Sequence, residues 1–379
     1  MNFELKEHHK TLQAQVKKLA QEVLEPAAVE LDRKQEFAWD NFKAMAKLGL
    51  FGLTIPPEYG GSGGDELSVA IAAEEIARAC ASSADILDVQ LCLSTAPIFR
   101  FGNEEQRRKF VPPMARGEKA GAFALTEAEA GSDVAGIKAT ARRDGDHYIL
   151  NGTKIFISCG DVCDTVLVMA NVPDLGARGA TAFIVEAGTP GYRKGKKYDK
   201  VGMRAATNAD QIFEDCRIPA VNRLGEEGRG MRIFLEILDH GRIGVAAQAL
   251  GIAQAVLDKS ADYAGQRKQF GSTIGTNQGI SFRLADLATE IDAARLLVYR
   301  AAFLADRGLP FRKEASMAKL YATELAMRAS IFGVQVYGGY GYMMDSPMQR
   351  YMRDAKVTEI YEGTSEVQRI VISSTLFRK

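Results

Sequence analysis

The stretch that decides the fold is "HYILNGTKIFIS", residues His147 to Ser158. Within it, Asn151-Gly152 separates two runs of residues that favour β-strands, and this arrangement is the strongest short-range signal for a β-hairpin. We therefore expect the chain to reverse direction at Asn151-Gly152. The segments "DTVLVMANV", "ATAFIVEAG" and "QIFEDCRI" follow as short strands between glycine-bearing turns. Together they predict a small β domain of barrel or sandwich type.

Helical patterns flank this β segment on both sides. Leu12, Val16, Leu19 and Val23 recur at helical spacing, which predicts one apolar stripe on a helix that Pro26 bends or ends. After the β segment, three long stretches, the first beginning "GMRIFLEILDHGRIG", have the pattern of amphipathic bundle helices. The predicted fold class is α+β, with an N-terminal helical domain (residues 1–120), a middle β-barrel domain (121–230) and a C-terminal four-helix-bundle-type domain (231–379).

Composition narrows the classes of partner. The 379 residues include 48 basic and 48 acidic side chains, so no global charge favours nucleic acid or a membrane surface. No apolar run reaches the roughly 18 residues that a membrane span needs, and "MNFELKEHHK" lacks the apolar centre of a signal peptide. Five cysteines without a CxxC pair indicate reduced thiols rather than disulfides or a metal site. We expect a cytoplasmic protein without metal.

The segment "FALTEAEAGSDVAG", Phe123 to Gly136, begins where the helices give way to strands. Thr126, Gly131, Ser132 and Asp133 combine small hydroxyl groups with a flexible backbone, which lets backbone amides approach a cofactor ring or a phosphate. An ordinary turn capped by Ser132 or Asp133 explains the same residues. Neither GxGxxG after a strand nor a Walker-type phosphate motif occurs, which disfavours a Rossmann or P-loop nucleotide site.

Several motifs in order resemble the acyl-CoA dehydrogenases, which use FAD to desaturate acyl-CoA thioesters between Cα and Cβ. They are "ALTEAEAGSD", "NGTKIFIS", "RKQFG", "QVYGGYGY" and "RDAKVTEIYEGTSEVQR". The resemblance runs nearly end to end and agrees with the helical, β, helical layout. It implies a short, branched or cyclic acyl-CoA substrate, an electron-transferring flavoprotein as electron acceptor and a homotetramer.

The resemblance also implies residues that contact FAD. Leu125 and Thr126 would face the pyrimidine side of the flavin, where charge accumulates on reduction. Phe156 would stack near the flavin in place of the family's usual tryptophan, and Ser158 would replace the commoner threonine. The other implied cofactor-binding residues are Phe123, Ser132, Arg267, Gln269, Phe270, Gln278, Gln335, Gly338, Gly339, Thr364 and Glu366. Those from Arg267 to Gly339 usually contact the FAD of a neighbouring subunit in this family.

Dehydrogenation at Cα requires a carboxylate base and donors on the thioester carbonyl. By resemblance the base is Glu362 in "YEGTS", and its backbone amide, with a hydroxyl of FAD, would bind the carbonyl. Glu359 and Glu366 are not at the matched position, and we expect neither to act as a base. Some branches of the family place the base on the helix that contains "LEILDHGRIG", where this chain has Gly241.

Substrate contacts are implied for Ser132, Asp239, Arg242, Gly363 and Asp88. An i,i+3 surface pair explains Asp239 and Arg242 as well as a CoA contact does. Asp85 and Asp88 lie where relatives mostly carry neutral residues, and pairing with a basic residue is the plain interpretation. The sharper hypothesis is that Asp88 faces the acyl pocket, excludes dicarboxylates, favours polar, cyclic or partly unsaturated acyl groups and accepts a second proton.

Three alternatives remain at the level of sequence. The same fold serves flavin oxidases and monooxygenases, in which oxygen reoxidises the flavin. The same site would reduce an enoyl-CoA if a low-potential donor supplied electrons. A non-catalytic binding module is disfavoured because every matched flavin and base position remains chemically competent.

Overall fold

The computed structural model describes residues 4–377 and has the predicted order of a helical segment, a β segment and a second helical segment. The helices are α1 Glu7–Leu19, α2 Glu25–Lys34, α3 Trp39–Lys47, α4 Glu66–Ala79, α5 Ala81–Asp88, α6 Ala96–Phe101, α7 Glu104–Ala115, α8 Gly230–Gln266, α9 Gln278–Asp306, α10 Arg312–Tyr337, α11 Pro347–Thr358 and α12 Ser365–Leu376. The strands are β1 Gly121–Ala124, β2 Thr140–Asp144, β3 His147–Ser158, β4 Thr165–Asn171, β5 Ala180–Glu186, β6 Tyr192–Lys197, β7 Asn208–Pro219, β8 Arg223–Leu224, β9 Lys268–Gln269 and β10 Ser272–Thr273.

The eight strands from β1 to β8 form one sheet. Its order is β6-β7-β3-β2-β4-β5-β8, and β1 pairs in parallel with β4. The sheet has its own core, to which Tyr148, Val166, Phe183 and Phe213 contribute buried side chains. The predicted α+β class is confirmed.

The predicted hairpin at Asn151-Gly152 is wrong, because β3 continues through both residues. The chain reverses instead between β2 and β3, where Asp144 pairs with His147 and Gly145 has a φ of +60°. Gly152 lies at an irregularity in the pairing of β3 with β7, with a φ of +145°. A Cβ there would stand 2.6 Å from the Cβ of Ala139, so this glycine permits close strand packing rather than a turn.

The apolar stripe predicted on the first helix is wrong at Val23, which does not lie on the buried face. A π-helical turn over Ala20–Leu24 joins α1 to α2, and Leu24 is fully buried whereas Val23 is 39% exposed. A π turn inserts about one residue into the helical repeat, which rotates the following side chains onto a different face. The buried series is therefore Val16, Ala20 and Leu24.

The two helical segments share one large core, in which α8 packs against both α4 and α10. Close packing with α4 depends on Gly251 of α8, where a Cβ would stand 2.3 Å from the carbonyl oxygen of Glu74. Among the described residues, no helix is both long and apolar enough to cross a bilayer.

A second π-helical turn, Val89–Thr95, follows α5 directly. The hydroxyls of Ser94 and Thr95 donate to the carbonyls of Val89 and Gln90, at 2.7 and 2.6 Å. The side chain of Gln90 bonds both the N–H and the carbonyl of Gly121 at the start of β1. The C-terminal end of α5, which carries Asp88, is thereby anchored to the sheet.

Candidate active site

Glu362 lies in the short turn between α11 and α12 and has a left-handed backbone with a φ of +52°. The next residue, Gly363, has a φ of +99°, and Thr364 caps α12 by accepting the N–H of Val367 at 3.3 Å. A non-glycine residue at positive φ costs free energy and persists only where its surroundings hold it. The turn therefore presents Glu362 in one fixed orientation.

Two side chains hold this turn through the same carbonyl oxygen. The ammonium of Lys319, on α10, donates to the Gly363 oxygen at 2.8 Å. The amide of Gln368, on α12, donates to that oxygen at 2.8 Å and to the Glu362 oxygen at 3.2 Å. Both donors are fully buried.

The carboxyl groups of buried Asp88 and half-buried Glu362 form a pair. Burial is the main cause that raises the pKa of both groups, and the charge of Glu362 raises the pKa of Asp88 further, to well above its ordinary value. The interaction between them raises the pKa of Asp88 and lowers that of Glu362, so it favours the proton on Asp88. This direction favours the anionic form of Glu362, which a base requires.

The outer oxygen of each carboxyl group faces a glycine of α8. A Cβ on Gly241 would stand 2.1 Å from Glu362 Oε2, and a Cβ on Gly244 would stand 2.2 Å from Asp88 Oδ1. These two oxygens are also buried without a hydrogen-bond partner among the described residues. Residues i and i+3 share one helix face, so α8 leaves adjacent spaces for the two carboxyl groups.

Asp85, one turn before Asp88, lies towards the β segment. The hydroxyl of Ser158 donates to Asp85 Oδ2 at 3.4 Å. Burial raises the pKa of Asp85 to about 6, against the smaller opposing influence of Lys200. Helix α5 thus places one acidic side chain, Asp85, beside Ser158 and another, Asp88, beside Glu362.

Arg242 is 2% exposed and binds Asp239 at 2.5 Å, so the surface-pair interpretation of these two residues is wrong. Burial lowers the pKa of Arg242, whereas Asp239 and Glu362 favour its charged form. The Nε of Arg242 has no partner among the described residues. A buried guanidinium N–H with free capacity suits an acceptor group of a ligand.

The residues matched to the flavin ring lie around β1 and β3. The carbonyl of Thr126 accepts the N–H of Ile155 at 2.9 Å, which places the "ALTEA" segment alongside β3. The ring of Phe156 is 57% exposed, its backbone φ is +60°, and it contacts Tyr198 at 4.9 Å between ring centroids. An exposed aromatic face beside the hydroxyls of Thr126 and Ser158 fits a planar, polar-edged ring such as the flavin of FAD.

Three other residues implied to bind the cofactor, Phe123, Leu125 and Ser132, differ in exposure. Phe123 stacks on Phe234 of α8, with ring centroids 4.5 Å apart. Leu125 is 7% exposed, and its backbone carbonyl accepts a hydrogen bond from Lys154 at 3.0 Å. Ser132, in contrast, lies on an exposed segment.

The remaining matched residues form a second region at the far end of α10. A cavity of about 560 Å³ is lined by Arg267, Gln269, Gly338 and Gly339, among others. Gly338 lies 19 residues beyond Lys319, which corresponds to about 28 Å along a helix. This region is separate from Glu362 within one chain. Gln278, Gln335 and Phe270 are exposed near it, and Phe270 is fully exposed.

A buried ion pair that the sequence did not predict lies behind the "ALTEA" segment. Lys154 donates to Glu127 at 2.7 Å, and Glu127 also accepts the backbone N–H groups of Lys138 and Ala139. Tyr148, Leu150 and Lys154 lie on the same face of β3. A lysine among apolar residues on one strand face is a sequence pattern that indicates a buried charge. No local sequence pattern of this kind indicated the contacts made by Lys319, Gln368 and Gly244.

The other carboxylates near Glu362 have different surroundings. Glu359 pairs with Lys356 at 2.7 Å. Glu366 is exposed, and its own backbone N–H lowers its pKa at the start of α12. Neither carboxylate has an unpartnered buried oxygen like that of Glu362. Elsewhere in the described part of the chain, His8, His9 and Asp65 converge, with His9 and Asp65 hydrogen-bonded at 3.0 Å.

Family models for three domains match the chain: the acyl-CoA dehydrogenase N-terminal domain at residues 6–118, the middle domain at 122–216 and the C-terminal domain at 228–377. The short-chain specific acyl-CoA dehydrogenase of Clostridium acetobutylicum is 44% identical over 379 residues, which cover 100% of both chains. The acryloyl-CoA reductase (NADH) of Anaerotignum propionicum is 46% identical over 382 residues, covering 100% of this chain and 97% of the relative.

Solved structures agree with these matches. A chain from a structure described as the electron transferring flavoprotein of Acidaminococcus fermentans has a TM-score of 0.98 and 44% identity, with 100% of both chains covered. The chain therefore belongs to the acyl-CoA dehydrogenase family of FAD-dependent oxidoreductases.

Proposed function

We propose that this acyl-CoA dehydrogenase desaturates a short, branched or cyclic acyl-CoA, with Glu362 as the base that removes the α-proton. The observation that carries the proposal is the setting of Glu362. It is held at positive φ in a fixed turn, lies beside the carboxyl group of Asp88 and retains one unpartnered buried oxygen. A raised pKa suits a group that must take a proton near neutral pH.

Each further role follows from a named group of the chain. The backbone N–H of Glu362 would bind the thioester carbonyl and acidify the α-proton. The unpartnered Nε of Arg242 and the Gly363 backbone would contact the CoA moiety. Thr126, Phe156 and Ser158 would hold the flavin ring, and FAD, when bound, supplies the acceptor for two electrons and the β-hydrogen.

Replacing Glu362 by glutamine tests the base. We expect retained FAD and thioester binding, with anaerobic bleaching of the flavin by substrate slowed by roughly 10²- to 10⁴-fold. Glu359→Gln is the matched control, because that carboxylate lies in the same segment, is not among the implied cofactor contacts and pairs with Lys356. Rapid bleaching in Glu362→Gln would refute the assignment.

Electron transfer away from the flavin has two candidate routes. A chain similar to this one comes from a structural study of an electron transferring flavoprotein, which supports such a partner here. Mixing the reduced protein with oxygen and timing flavin recovery distinguishes this route from an oxidase or monooxygenase. The reductase among the relatives makes the enoyl-CoA-reducing direction a second candidate, tested by supplying a low-potential donor and an enoyl-CoA.

Asp88 would set the choice of acyl group. Its buried position beside Glu362 supports the hypothesis that it faces the acyl pocket, whereas its raised pKa favours a neutral form that would not repel a dicarboxylate by charge. Asp88→Asn should change the relative kcat/KM for linear, branched and cyclic thioesters. Asp85→Asn is the control for a buried acid on the same helix, and unchanged selectivity in Asp88→Asn would reject the hypothesis.

The second region of matched residues would contact the FAD of a neighbouring subunit in a homotetramer. The exposed ring of Phe270 and exposed apolar side chains on α9 and α10, including Phe282, Phe303 and Ile331, support association. We expect light scattering to give about four times the 41.3 kDa chain mass. Phe270→Ser should lower FAD occupancy, and full occupancy in a monomer would contradict the shared site.

Buried free cysteines support a reducing, cytoplasmic setting.

A further inference from the structure

We propose that Lys319 is a positioning residue that fixes the Glu362–Gly363 turn and, as an ammonium, keeps Glu362 ionised before the α-proton is removed. This inference rests on the proposed role of Glu362 as the base. Lys319 is distant from Glu362 in sequence and belongs to none of the motifs that indicated the site.

The geometry gives Lys319 one defined contact with the turn. Its side chain is fully buried on α10, and its Nζ lies 2.8 Å from the Gly363 oxygen. Gln368 donates to the same oxygen at the same distance from α12. The carbonyl that follows Glu362 is therefore held by one charged and one neutral donor, from two different helices.

The charges that face Lys319 come from four other parts of the chain. Glu362 in the turn, Glu359 at the end of α11 and Glu366 on α12 favour the ammonium, whereas Arg242 on α8 opposes it. Burial is the largest influence and lowers the pKa of Lys319 to about 7. Burial and the charge of Asp85, on α5, favour the neutral form of Glu362, whereas the interaction with Asp88 favours its anion. Lys319 and Arg242 are the cations that also favour the Glu362 anion.

A role limited to hydrogen bonding would not need a charge. Gln368 supplies an equivalent neutral donor to the same oxygen, and a buried ammonium is costly unless nearby charges compensate it. Below pH of about 7 Lys319 carries its proton and lowers the pKa of Glu362. Above that pH the ammonium is progressively lost, and its support for the Glu362 anion is lost with it.

The pair of donors provides a matched experiment. Lys319→Met removes the donor and the charge, Lys319→Gln removes the charge but keeps a donor, and Gln368→Met removes a donor without changing charge. For each variant and the parent, anaerobic flavin reduction by butyryl-CoA is measured from pH 5.5 to 9, together with KM, binding of crotonyl-CoA by calorimetry and the melting temperature.

We expect flavin reduction in Lys319→Met to slow about 100-fold, with little change in KM. The acidic limb of its pH profile should move up by about one unit, because a nearby cation no longer favours the Glu362 anion. Lys319→Gln should show the same movement with a smaller loss of rate. Gln368→Met should lose rate without moving the limb.

Three results would overturn the inference: an unmoved acidic limb in Lys319→Gln, the same movement in Gln368→Met, or a parent rate that shows no change near pH 7. If neither lysine variant folds, the pH dependence of flavin reduction in the parent protein tests the inference. If the parent flavin is not reduced by any acyl-CoA, the proposed function fails instead. Crotonyl-CoA binding and melting temperature separate loss of positioning from loss of folding.

Discussion

The unpartnered carboxylate oxygen of Glu362 occupies the space that a side chain at Gly241 would need, since a Cβ there would stand 2.1 Å from Glu362 Oε2. A glycine inside a helix costs roughly 0.5 to 1 kcal/mol relative to alanine. Helix α8 therefore gives up stability at this position to accommodate the carboxylate. The same face of α8 accommodates Asp88 at Gly244.

Gly241→Ala should displace Glu362 and slow flavin reduction by acyl-CoA about 100-fold, because small misplacements of a reacting group have effects of that size. Stopped-flow absorbance of the flavin measures the change. Gly265→Ala, in the same helix with nothing within 4 Å of its Cβ position, should keep the parental rate. Equal rates in the two variants would show that Glu362 does not need the space at Gly241.

Gly244→Ala should destabilise the protein by about 1 to 3 kcal/mol, the usual cost of overpacking, because its Cβ would stand 2.2 Å from Asp88 Oδ1. In an Asp88→Ala background that contact is absent, and the same substitution should cost much less. Melting temperatures of the four combinations measure the coupling. Additive effects would mean that the clash lies elsewhere.

Asp85→Asn should stabilise the protein at neutral pH. Burial raises the pKa of Asp85 from 3.8 to about 6, so its favourable contribution is present below pH of about 4 and is lost as the pH rises through 6. The advantage of the variant should therefore grow between pH 4 and 6, towards at most about 3 kcal/mol. Melting temperatures across this range test it, and a difference that does not depend on pH would contradict the predicted ionisation.

Glu127→Gln should lower FAD retention and the melting temperature, because it leaves buried Lys154 without its partner. Removing one member of a buried ion pair costs about 3 to 5 kcal/mol. The flavin absorbance that remains after gel filtration measures FAD retention. Glu129→Gln is the control, since Glu129 and its partner Lys138 are both exposed. A full complement of FAD in Glu127→Gln would show that the ion pair does not support the flavin-facing segment.

Periodicity predicted the order of helices and strands because most elements bury one face against a large core. It failed where local backbone geometry overrode a sequence signal. Asn151-Gly152 has the composition of a turn, yet the Asn151 side chain accepts the N–H of Asp215 on β7 at 2.8 Å, and this cross-strand bond keeps β3 continuous. The π turn at Ala20–Leu24 shifted the buried face in a way that helical spacing does not reveal.

Glu362 could be singled out from the sequence because its motif is local, whereas its surroundings could not be predicted. Asp88, Gly244, Lys319 and Glu362 come from four different elements, and only the tertiary fold brings them together. The burial of Arg242 was unpredictable for the same reason. Its spacing from Asp239 suits a solvated pair, and packing of the surrounding helices decides that it is buried.

The close fit between Gly241 and Glu362 also limits how this active site can change over time. The space between α8 and the turn holds the carboxylate of Glu362 but no larger side chain at position 241. Under the proposed role of Glu362, a glutamate gained at position 241 would need the space that the carboxylate of the turn fills, so the two carboxylates could not both keep these places.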